Sequence, residues 1–141
     1  MKSHRMAPIG PCYLATAAAV PLLGLSAGCT NPADMDTQRF VIAVDSISVP
    51  NTIAPSTTLT ANFSGRIGPN RCYRLDRVDR ARGPGILEVR FHGERKEDGD
   101  CAQMPAVLDH AEEVPPPLED PFRIRVLQPD GTALEKVVRV Q

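Results

Sequence analysis

Three stretches of this chain alternate apolar and polar side chains one by one, and that period of two restricts the fold more than any other feature. From Thr57 to Phe63, Leu59, Ala61 and Phe63 alternate with Thr58, Thr60 and Asn62. Leu87, Val89 and Phe91 alternate with Glu88 and Arg90, and Phe122, Ile124 and Val126 alternate with Arg123 and Arg125. Successive side chains of a strand point to opposite faces, so each stretch is expected to be a strand with one buried and one wet side. Turn-forming residues separate the stretches: Pro50 and Pro55, Gly68-Pro69-Asn70, Arg82-Gly83-Pro84-Gly85 and Pro129-Asp130-Gly131. The last of these predicts a closing hairpin between Phe122–Leu127 and Ala133–Val140.

Phe40 to Val49 is also read as extended, but with a change of phase, because Ile42 and Val44 lie on one parity and Ile47 and Val49 on the other. One extra residue near Asp45-Ser46 returns both pairs to the core, as a β-bulge does where a first strand passes between sheets. Two stretches are ambiguous. Arg71 to Arg82 alternates at Tyr73 and Leu75, which favours a strand, yet its apolar spacing of three also suits a helix. Ala102 to Asp120 suggests a short strand near Ala106–His110 and an extended connection through Pro115-Pro116-Pro117, with helix as the alternative.

The first 28 residues differ from the rest. Lys2 and Arg5 precede a stretch from Cys12 to Ala27 without any charge, rich in Ala and Leu, which has the order of a secretory signal. The stretch is shorter than the roughly 20 residues that span a bilayer, and Pro21 and Gly24 interrupt it. It ends in Leu25-Ser26-Ala27-Gly28-Cys29, which resembles the lipobox of bacterial lipoproteins. Ser26 occupies the place, three before the cysteine, that most often holds Leu, and Leu25 lies one residue further back. The resemblance implies a cut after Gly28, diacylglycerol on the Cys29 thiol, and a chain anchored to a membrane of the bacterial envelope, facing periplasm or exterior. Ordinary secretion with a cut near Ala27 is the alternative. Residues 29–38 then form a polar, aperiodic linker and residues 39–141 the folded domain.

Export bears on the cysteines. With Cys12 in the signal and Cys29 lipidated, Cys72 and Cys101 remain, and in an oxidising compartment two such thiols are expected to pair. A redox pair or a metal site with His92 or His110 is the alternative. The close Cys-x-x-Cys spacing of the first and the clustered ligands of the second are both missing. Beyond Gly28 the chain holds 17 Val and Ile against 7 Leu, a bias towards pleated surfaces. Short strands broken by Gly and Pro turns over about 103 residues bear a general resemblance to immunoglobulin-like or fibronectin-type domains. That implies an all-β antiparallel sandwich of about seven strands with one disulfide. The buried Trp of antibody domains is absent, and both remaining cysteines lie mid-chain.

Candidate chemistry is sparse. Arg71, Arg74, Arg77, Arg80 and Arg82 form a ladder that could meet phosphate or acidic polysaccharide, but Asp76 and Asp79 sit inside it and suggest local ion pairs instead. His92 shares the wet parity of Glu88 and Arg90 and is expected at the surface. A hydrolase using His92 or His110 requires both histidines and a carboxylate in one concave pocket. Glu94 to Asp100 is read as a charged loop, since a calcium loop needs a longer ligand register than Cys101 allows. Phe40, Phe63, Tyr73, Phe91 and Phe122 are assigned to the core.

The balance of 16 Lys and Arg against 17 Asp and Glu excludes nucleic acid recognised through bulk charge. No catalytic residue, metal or cofactor is assigned. The expected function is a lipid-anchored binding or structural module whose partners are the membrane and an envelope protein or polysaccharide. An inhibitor or accessory subunit of a larger complex is the second class and a small hydrolase the third.

Overall fold

The structure is a computed structural model that describes residues 37–97 and 99–141. The expected signal at 1–28, the lipid-bearing Cys29 and the linker as far as residue 36 lie outside the described residues. Nine strands are formed among those described: β1 (Thr37–Val41), β2 (Ser46–Ser48), β3 (Thr52–Ile53), β4 (Leu59–Gly68), β5 (Tyr73–Gly83), β6 (Ile86–Lys96), β7 (Ala106–Val114), β8 (Phe122–Leu127) and β9 (Ala133–Val140). The three alternating stretches lie in β4, β6 and β8, and their apolar parity is the buried one. Both ambiguous stretches contain strands, β5 and β7. β1 begins at Thr37, two residues inside the stretch read as linker.

The strands form two sheets. One is β2–β4–β7, antiparallel throughout. In the other, β5 pairs with one side of β6 over its whole length, while the second side of β6 is shared end to end. β8 covers Ile86–Val89 and β1 covers His92–Lys96, with β9 and then β3 beyond β8. Two pairings correct the antiparallel expectation: β3 with β9 and β6 with β8 are parallel. The second follows from the chain's path. β6 leads into β7 of the other sheet, which runs back alongside β4, so β8 returns to the first sheet in the direction of β6.

The change of phase in the first strand marks its passage from one sheet to the other. Ile42 N–H still donates to Phe91 O of the larger sheet at 2.9 Å, whereas Asp45 N–H donates to Ser64 O of the smaller at 2.9 Å. Ile42, Val44 and Ile47 are buried, with Asp45 and Ser46 exposed between them. At the crossing Val44 has no strand partner, and Gln128 substitutes for one: Val44 N–H donates to Gln128 Oε1 at 3.1 Å, and Gln128 Nε2 donates back to Val44 O at 3.0 Å. A backbone group passing between layers is thereby kept satisfied.

One apolar cluster lies between the sheets. Phe63 of β4 meets Phe91 of β6 with ring centroids 5.1 Å apart, and Phe122, Ile124, Val126 and Val138 are fully buried around them. Phe40 and Tyr73 are only half-buried. They pack edge to face at 5.8 Å where the core ends. Gly93 lets Phe40 lie flat on β6, since a Cβ there would stand 2.6 Å from its ring. The proline connection, expected to be extended, instead folds back over Pro84-Gly85. Leu118 is buried beneath it, Glu119 N–H donates to Pro84 O and Arg123 N–H to Gly85 O. The Pro116–Pro117 and Asp120–Pro121 peptides are cis.

Cys72 and Cys101 form a disulfide across 29 residues of chain, with Cα atoms 5.4 Å apart. It ties the start of β5 to the loop before β7, and so one sheet to the other. By loop-closure entropy the bond contributes about 3.5 kcal/mol. Replacing both cysteines by Ser should lower the urea midpoint by that amount of stability and leave the chain folded, as measured by equilibrium unfolding.

Candidate functional site

A bulge at Asp76 decides where the arginine ladder points. The register of β5 on β6 slips between Leu75 and Arg77, so Arg77 stands opposite His92, Asp79 opposite Arg90, Arg80 opposite Val89 and Arg82 opposite Leu87. The ladder is thus split between two faces. Arg74 and Arg77 share the wet face of the larger sheet, while Arg80 and Arg82 turn to the core parity and reach the second sheet.

On the wet face several charges are paired. Glu94 is the one buried charged residue among those described, 8% exposed. It lies in β6 between Arg39 of β1 and Arg74 of β5, and is ion-paired with Arg74. Glu94 therefore belongs to the sheet and not to the charged loop assigned from the sequence. Arg39 meets Asp76 at 3.7 Å, and Arg125 lies between Glu88 at 3.6 Å and Glu135 at 3.3 Å. His92 is on this face as expected but is largely covered, with Nε2 at 2.7 Å from Asp79 Oδ2. Desolvation works to raise the Asp79 carboxyl, and hydrogen bonds from Arg77 and His92 overcome it, leaving it below the ordinary carboxylate value.

The inward arginines act at the seam where the edge strands β5 and β7 of the two sheets approach each other. Arg80 Nε donates to Glu112 Oε1 of β7 at 2.6 Å, and His110 Nε2 lies 3.1 Å from the other carboxylate oxygen. The His110 ring stands on edge against Phe91, centroids 5.4 Å apart, so it forms the rim of the core. One turn of the pleat further on, Arg82 donates to the carbonyls of Pro115 and Pro117. These contacts close the half of the seam nearest the proline strap.

The other half, next to the disulfide, is open. It forms a groove of about 250 Å³ floored by Ile67, Tyr73, Leu75 and Leu108, with Arg71 and Asp109 among the residues at its rim. The groove is a candidate for binding because apolar side chains, charged groups and an unpaired strand edge coincide there. Alternation identifies Leu75 and Leu108 as inward-facing, but which edges become neighbours depends on the assembly of the sheets.

The two histidines are not brought together. His92 pairs with Asp79 on the wet face and His110 with Glu112 at the seam, and among the described residues no cavity is lined by both. Cys72 and Cys101 are joined to each other, apart from either histidine's hydrogen bonds.

Desolvation tends to raise the Glu112 carboxyl, and hydrogen bonds from Arg80 and His110 outweigh it, so the group is held below its ordinary value of 4.5. Its contribution is therefore complete above that value and is lost as pH falls through the depressed one. Glu112→Gln should cost roughly 1 kcal/mol at pH 7, a small figure because Arg80 is 44% exposed. Urea midpoints from pH 7 down to pH 2 should show the wild-type advantage shrinking only in the acid range.

Comparison with models of protein families, with curated proteins and with solved structures finds no match to this chain.

Proposed function

We propose that this chain is a lipid-anchored module of the bacterial cell envelope, acting by binding or structural support without catalysis. The observation that carries the reading is the order of its first 29 residues: cations at Lys2 and Arg5, an uncharged apolar stretch, then small residues leading to Cys29. Acyl chains on that thiol hold a protein at a membrane only when more than one is attached, as lipoprotein processing provides. A disulfide between the two sheets is in keeping with an exported, oxidising location.

The domain itself is an immunoglobulin-like sandwich in this reading. In support, the first strand passes between sheets, the chain closes in the β8–β9 hairpin, and two layers enclose one apolar core. Against a strict version of that pattern, β8 pairs with β6 in parallel. A binding role fits a surface with an open groove lined by apolar side chains at one seam.

Expressed with its own N-terminus in a bacterial host, the protein should partition into the detergent phase, and mass spectrometry should find diacylglycerol on an N-terminal Cys29. Cys29→Ser should move it to the aqueous phase. An unmodified Cys29 in protein recovered without detergent overturns the anchor.

A further inference from the structure

We propose that the open half of the β5–β7 seam is a docking site for an extended segment of a partner protein. The segment adds to the unpaired edge of β7 at Ala106–Asp109, seats an apolar side chain in the groove and places a carboxylate on Arg71. The inference deepens the binding-module reading and is independent of the lipid anchor.

Four observations converge on this occupant. β7 pairs with β4 alone, and along its other edge no described residue bonds its backbone. A row of N–H and C=O groups beside an apolar groove is complementary to an extended backbone, the arrangement of strand addition. Exposed apolar side chains also gather here. Of the three large ones exposed among the described residues, Val107 at 64% lies on β7 and Met104 at 57% just before it.

The rim supplies charge. Arg74 is committed to Glu94, whereas Arg71 has no carboxylate partner among the described residues. Its backbone N–H donates to Ala102 O, and its neighbour Cys72 is bonded to Cys101, so the backbone that carries it is fixed. A cation carried at the rim without a described partner favours a ligand of opposite sign. The closed half of the seam sets the length. Beyond Asp109 the seam is bridged by Arg80 with Glu112 and by Arg82 with the prolines, so about four residues of the segment face the groove.

The test uses the full chain, labelled with nitrogen-15 in detergent micelles, and the peptide acetyl-Thr-Val-Thr-Val-Glu-amide. The peptide should shift the amides of Ile67, Arg71 to Leu75 and Ala106 to Asp109, and slow hydrogen exchange along the outer edge of β7. Arg71→Glu, at an exposed position, should weaken binding about tenfold and transfer the preference to the same peptide ending in Lys. Restored affinity in that swapped pair supports the site. Shifts confined to another surface would overturn this site while leaving a binding role intact. An absence of shifts at millimolar peptide, affinities indifferent to Arg71→Glu, or a concentration-dependent dimer paired through β7 would overturn the proposal outright.

Discussion

The tilted ring contact of Phe63 with Phe91 is the contact on which both sheets depend. A three-stranded sheet such as β2–β4–β7 has one apolar face and no stable existence with that face in water. Phe63 carries that face onto the larger sheet, and the 5.1 Å approach of the two rings fixes the centre of the core. Other features serve the same layer. Ile42, Val44 and Ile47 reach it only because the first strand leaves one sheet and joins the other. The side chain of Gln128 covers the backbone of Val44 where that transfer exposes it. With four Phe, two Tyr and no Trp in the chain, few aromatic rings are available, and branched aliphatic residues fill the remaining space.

Bringing two open sheets face to face leaves edges, and the charges of this protein are arranged around that problem. β5 carries a bulge and arginines, both of which discourage pairing with another chain. The bulge also turns Arg80 and Arg82 inward to bond Glu112 and the proline carbonyls. On the wet side, Arg39, Arg74, Arg77 and Arg125 are each set against a carboxylate. Arg74, Arg77 and Arg80 of β5 are thereby each matched with a carboxylate. Only near the disulfide does the seam remain open, and there Arg71 stands beside apolar side chains without a described partner.

Much of this was legible from residue order. The alternation of Leu59, Ala61 and Phe63, of Leu87, Val89 and Phe91, and of Phe122, Ile124 and Val126 identified three central strands together with their buried faces. Pro129-Asp130-Gly131 located the last hairpin, where Gly131 adopts a positive φ of 84° that suits glycine. The phase shift at Asp45-Ser46 located the sheet crossing. The bulge at Asp76 was not legible, because Arg71 to Arg82 has no clear parity, and with it went the inward direction of Arg80 and Arg82. Glu94 was misplaced in a loop because its charge hid its position in β6. The fold of the proline strap depends on Leu118 finding the core, a contact with no local signature.

Side-chain chemistry over a few neighbouring residues was sufficient to identify the central strands, which of their faces are buried, and where the chain turns. The parallel pairings, the seam between β5 and β7, its closure by Arg80 and Glu112 and the groove beside Arg71 arose only when the two sheets packed. The reason is physical: a period of two is a property of one strand, whereas strand order and edge contacts join residues far apart in the chain, as Arg80 and Glu112 or Thr52 and Arg139 are, whose approach is decided by the shared core.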